Sequence, residues 1–125
     1  MAEADLVRLR HMLDAAREAI AFASGETRAS LGKDRKLALA IVKDVEIIGE
    51  AASKVSEETR ERHPGIAWRP IIAMRNRLIH AYFEIDFDQV WSAVTEDLPP
   101  LIAELEQALR AEGVNPDIDL RSKTL

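Results

Sequence analysis

One spacing governs what this chain can fold into. Leu6, Leu9, Leu13, Ala16, Ile20 and Ala23 recur at intervals of three and four residues, the mark of one apolar helix face. Leu37, Ile41, Val45, Ile48, Ala52 and Val55 repeat it, as do Val90, Val94, Leu98, Leu101, Leu105 and Leu109. No stretch alternates with the period of a strand, and there is no internal repeat. Six of the 125 residues are aromatic, so the core must be aliphatic, which again favours helices over sheets. The expected fold is all-α, an antiparallel bundle of four main helices with short connections. A single domain over residues 1–112 is followed by a tail, 113–125, with no period, which should lie along the surface or stay mobile.

Local signals place the boundaries. Ser24-Gly25 should stop the first helix. "ETRASLGKD" reads as a loop, and "SEETRERHPG" loses the apolar stripe before a turn at His63-Pro64-Gly65. A third helix should run from Trp68 to about Tyr82, with Pro70 tolerated in its first turn. Asp86 stands three residues before Gln89, a plausible cap for the fourth helix. Pro99-Pro100 should kink that helix, and Gly113 should end it. Gly49 inside a helix costs ~1 kcal/mol relative to Ala, a cost more readily accepted if another helix approaches closely. The third helix is expected to pack there, which would place Glu50 near its arginines or leave it a solvated neighbour of a packing glycine.

Composition removes several classes of function. With no cysteine, disulfides and thiolate metal sites are excluded. The apolar runs fall far short of the roughly 20 residues that cross a bilayer, and the N-terminus is acidic and helical at once, unlike a signal peptide. A cytoplasmic protein is expected, without membrane contact. The net charge of −5 disfavours non-specific nucleic-acid binding but leaves room for a locally basic cleft. His11, His63 and His80 have no paired ligand spacing, Asp86-x-Asp88 alone is a weak metal signal, and no glycine-rich phosphate loop is present. No metal and no cofactor is expected.

Against this plain background stands "MRNRLIHAY", residues 74–82. On an ideal helix Ile71, Met74, Leu78, Ala81 and Tyr82 form the core stripe. Arg75 borders it, Asn76 and His80 sit one turn apart on the flank, and Ile72 and Ile79 lie between them. Apolar residues off the main stripe suggest a second buried contact, most simply a two-fold dimer. Arg75 and His80 would be about 140° apart around the axis and about 7.5 Å along it. A long side chain, a distorted helix end or a second subunit must then close the gap. The residue types suit phosphodiester chemistry. Arginine offers a planar fork of donors to a phosphate, histidine moves protons near neutrality, and asparagine can orient either partner. RNA carries its own nucleophile in the 2′-hydroxyl. Spacing alone leaves the plainer alternative open, in which the three residues are solvated groups on a bundle flank. His11 and His63 read as structural or solvated, and Trp68 and Trp91 as core or rim aromatics.

Arg75-Asn76-x3-His80-x-Tyr82 resembles the R-x4-H-x-Y signature of the HepT-like toxins, within the HEPN superfamily of small helical ribonucleases. "WRPIIAMRNRLIHAYFEIDFDQVW" is similar to the family's central block and "IIGEAA" to its second helix. The likeness extends over roughly residues 6–109 and keeps every position of the signature. It implies a four- to five-helix bundle forming a two-fold homodimer, with both motifs facing one cleft. It further implies metal-independent cleavage of RNA, with tRNA the substrate suggested by the family. The residues matching Arg75 and His80 would be catalytic and Asn76 supporting; apart from the resemblance, Glu50 by its place beside Gly49 and Arg77 by the charge a dimer would double are further supporting candidates. The resemblance also implies a partner, an MNT-type nucleotidyltransferase antitoxin of a type VII-like pair, which transfers AMP to the tyrosine matching Tyr82. That tyrosine is expected to rest its ring on the bundle and turn its hydroxyl to the cleft. The rival reading is a non-catalytic nucleotide- or substrate-binding subunit serving the same transferase.

Overall fold

The protein is described by a computed structural model covering residues 2–117. Its elements in order are α1 Glu3–Ala23, α2 Arg28–Lys33, α3 Arg35–Lys54, α4 Glu57–Arg62 and α5 Trp68–Leu78. A 3-10 turn follows at Ala81–Phe83, then α6 Phe87–Ser92, a π-helical turn at Ala93–Asp97 and α7 Leu98–Ala111. Among the described residues there is no β-strand, only an isolated antiparallel bridge between Ile79 and Ile85, so the all-α expectation holds.

The four long helices pack antiparallel, and cross-links at their ends give the register. Asp5 at the start of α1 meets Ser56 just beyond α3. Gly49 of α3 lies against Ile72 of α5. Arg17 of α1 pairs with Glu106 of α7 at 2.8 Å, and Arg77 of α5 with Asp97 before α7 at 2.8 Å. The interior they enclose is aliphatic as expected: Leu9, Leu13, Ile41, Ile48, Leu78, Leu98 and Leu105 are fully buried, with no aromatic among the described core residues. The close approach expected at Gly49 is present. A Cβ there would sit 3.3 Å from the Ile72 carbonyl oxygen, tighter than α5 could accept without shifting.

Three local readings change. "ETRASLGKD" is not all loop: Thr27 caps α2, its hydroxyl accepting from Ser30 N–H while Ser30 returns a bond to Thr27 N–H. Similarly Ser56 caps α4, whose inward face is little more than Thr59. The third helix stops four residues short of Tyr82, at Leu78, because Ile79 turns extended at φ −122°, ψ 125°. The Pro99-Pro100 pair stands in the first turn of α7, directly after a π turn whose flanking residues Ser92, Asp97 and Leu98 keep helical backbone angles. Gly25 and Gly113, at φ 77° and 79°, occupy the left-handed positions that end α1 and α7.

The beginning of the tail is held down. Arg10, buried on α1, and Arg17 both donate to the Pro116 carbonyl, at 2.7 and 2.8 Å. Residues 118–125 of the expected tail lie outside the described residues. Among those described, no helix is long and apolar enough to cross a membrane.

Candidate active site

The segment after α5 is a small hairpin rather than a continued helix. Ile79 and Ile85 face each other across it, His80 N–H donates to Glu84 O at 2.7 Å, and Asp86 N–H donates to Leu78 O at 2.8 Å. β-Branched isoleucines suit that extended pairing better than a helix end. At the tip, Tyr82 sits in the left-handed region at φ 62°, ψ 26°, a conformation that disfavours side chains other than Asn or Asp. Its side chain is 100% exposed. The expectation that its ring packs on the bundle therefore fails, because the chain leaves the helical path before reaching it.

The same break moves His80 off the helix wheel. Its Nε2 lies 2.9 Å from Asp86 Oδ2, while Asp86 Oδ1 accepts from Gln89 N–H at 3.1 Å and so caps α6, as the sequence indicated. The hydrogen bond with His80, then that from the Gln89 backbone, hold the Asp86 carboxyl below its ordinary range. The His80 side chain stays half-exposed.

Arg75 remains on α5 and turns toward α3, where its Nε donates to Glu46 Oε1 at 3.1 Å. It lines a groove of about 880 Å³ between α1, α3 and α5. Arg8, Lys43 and Lys54 also border this groove, and His11 joins them. Four permanent cations thus outnumber the two carboxylates, Glu46 and Glu50, on a chain whose net charge is −5. Glu50 does reach the groove with Arg75, but its ion pair is with Lys54 at 3.0 Å. The Arg75 partner is Glu46, which sequence reasoning missed. Spacing held the clue, since Gly49–Ile72 contact in an antiparallel pair puts residues 46 and 75 level. The groove also exposes Val7 and Ile47 and includes half-buried Ile72.

Asn76 is exposed beside Arg75. Arg77 does not join the groove; it pairs with Asp97 and borders a separate cavity of about 310 Å³ between α5 and α7. Arg75 and His80 each engage a different carboxylate, Glu46 and Asp86. His63 is structural, its Nε2 3.2 Å from Glu112. Among the described residues no group of three or more His, Asp or Glu could hold a metal ion.

A family described as Ribonuclease HepT-like matches residues 12–108. A Thermococcus cleftensis protein named "Probable ribonuclease HepT" is 40% identical over 74 residues, 59% of this chain and 67% of that one. A Caldanaerobacter subterraneus protein provisionally named an RNase is 33% identical over 104 residues, covering 83% of this chain and 93% of its own. Another, from Methanocaldococcus jannaschii, is 33% identical over 98 residues, 78% and 90% of the two chains. No solved structure matches significantly.

Proposed function

The chain belongs to the HepT-like ribonuclease family, and from that premise we propose that it is a metal-independent endoribonuclease, the toxin of a toxin–antitoxin pair. The observation that carries this reading is Arg75 in a groove where cations outnumber carboxylates on an otherwise acidic chain. Such a groove concentrates a polyanion locally. In the proposed reaction the RNA 2′-oxygen attacks the adjacent phosphorus as its proton leaves, and the bond to the 5′-oxygen breaks as that oxygen gains a proton. The products are a 2′,3′-cyclic phosphate and a 5′-hydroxyl. Arg75 stabilises charge on the phosphoryl oxygens, His80 exchanges a proton with a reacting oxygen, and Asn76 supports the phosphate.

The reading includes a two-fold homodimer. Val7, Ile47 and Ile72 leave apolar surface in the groove of one protomer, and a second copy would cover it while adding its own Arg75 and His80. It also includes inhibition by an MNT-type nucleotidyltransferase. The Tyr82 hydroxyl, fully exposed two residues from His80, attacks the α-phosphate of ATP and releases pyrophosphate, leaving a negative nucleotide beside the site.

Expression with and without the cognate transferase tests the whole reading. Alone, the wild type should arrest growth and its purified form should cleave RNA in EDTA. With the transferase, AMP-sized mass increments should appear and cleavage should cease, whereas Tyr82→Phe should stay unmodified and active. Sedimentation as a monomer at micromolar concentration would remove the dimer. Toxicity that persists in His80→Ala would favour the non-catalytic binding subunit.

A further inference from the structure

The hairpin assigns a job to a carboxylate outside the signature. We propose that Asp86 is the positioning residue for His80, fixing the imidazole with its proton on Nε2 and leaving Nδ1 to exchange a proton with RNA. This rests on the ribonuclease reading and names which nitrogen of that site reacts.

A helix cap needs one acceptor, and Asp86 supplies it with Oδ1 to Gln89 N–H at 3.1 Å. Asparagine or serine caps as well, so capping alone does not call for the second oxygen. That oxygen, Oδ2, instead stands 2.9 Å from His80 Nε2. An ionised carboxylate only accepts, so the facing nitrogen must carry the proton in the neutral ring, and the lone pair falls on Nδ1. The backbone ties both partners to the hairpin base, His80 N–H to Glu84 O at 2.7 Å and Asp86 N–H to Leu78 O at 2.8 Å. Ring and carboxylate therefore share a frame that the bridge between Ile79 and Ile85 closes. The depressed carboxyl pKa agrees, since it keeps Asp86 an acceptor throughout the neutral range.

Asp86→Asn separates the two roles. Its amide oxygen can keep the cap, which turns the NH2 toward His80 and asks Nε2 to accept, moving the ring proton to Nδ1. Nitrogen-15 NMR of the full chain with the imidazole neutral should show Nε2–H in the wild type and the reversed tautomer in Asp86→Asn. The kcat for RNA cleavage should fall at least about tenfold, with KM little changed, since proton transfer rather than binding is impaired. Asp86→Ser keeps a cap without a partner for the ring, and should give mixed tautomers and an intermediate rate. A wild type protonated on Nδ1, or an Asp86→Asn chain with native tautomer and kcat, would overturn the proposal. Should Asp86→Asn merely unfold, mixed tautomers in Asp86→Ser support it and a retained Nε2–H there overturns it. A wild type with Nε2–H that cleaves no RNA would leave the geometry standing and remove the ribonuclease reading.

Discussion

Two carboxylates anchor the starts of short helices in this chain, Asp5 at α4 and Asp86 at α6, in opposite surroundings. Asp5 is buried and accepts Ser56 N–H at 3.1 Å and the hydroxyls of Ser56 and Thr59 at 2.6 and 2.7 Å. Its acceptor capacity is turned inward, toward the buried Thr59 hydroxyl and the start of α4. Asp86 gives one oxygen to a helix and the other to a half-exposed imidazole. Both have depressed pKa values, so the shift alone does not tell a fastener from a working group. What distinguishes them is the partner's access to solvent: Thr59 is sealed, and His80 is open.

The largest effect expected is on catalysis without stability. Arg75→Ala and His80→Ala should each cut RNA cleavage by roughly 10²- to 10³-fold, the scale for losing one preorganised electrostatic group. Thermal unfolding should barely move, because both side chains are substantially exposed. A melting temperature lowered as much as the activity would make the hairpin a fastener too, and would break the contrast.

Asp5→Ala should do the reverse. Removing the acceptor strands the buried Thr59 hydroxyl, at about 1–3 kcal/mol on the scale of unsatisfied polar groups. Denaturant titration would read that loss, and cleavage per folded molecule should be unchanged. An equal loss of activity would mean that the N-terminal staple reaches the groove.

Acid sharpens the comparison further. Burial pushes the Asp5 carboxyl up, but the hydrogen bonds from Ser56 and Thr59, with the Arg8 charge, more than offset it and leave the pKa below 3.8. A group whose pKa is lower folded than unfolded stabilises fully above its unfolded value and loses that contribution as pH falls through its folded value. The stability gap between wild type and Asp5→Asn should therefore be constant near neutrality and shrink below about pH 3.8. A gap unchanged at lower pH would show that the carboxylate's charge is not what stabilises the staple.

The same contrast explains how far the sequence could be read. The long helices were legible because burial imposes a period, from Leu6 to Ala23 and again from Leu37 to Val55. α2 and α4 were not, since each is six residues long with one buried side chain, Leu31 or Thr59. Only their caps, Thr27 and Ser56, could have given them away. The helix end at Leu78 was hidden for another reason. Ala81 and Tyr82 prolong the apolar period without a glycine or proline to stop it, and the bridge from Ile79 to Ile85 is decided by tertiary pairing. Arg75 and His80 could be named from the motif; Glu46 and the second oxygen of Asp86 needed the packing.

The smallest effect concerns Tyr82, and it separates display from stability within the hairpin itself. A non-glycine residue at φ 62° costs about 1–2 kcal/mol, and full exposure gives Tyr82 no burial to set against it. Tyr82→Gly removes the steric cost but adds entropy to the unfolded chain, so the net gain should be at most about 1 kcal/mol. The variant should melt slightly higher than wild type and keep its RNA cleavage, because no hydrogen bond of the His80–Asp86 frame involves the tyrosine side chain. It should also take up no AMP when expressed with the transferase. Tyr82→Phe keeps the strained tip and should match the wild type in melting while also escaping modification. If Tyr82→Gly instead melts lower than both, the ring contributes to the fold, and its exposure at the tip ceases to be a reason for regarding it as the modified residue.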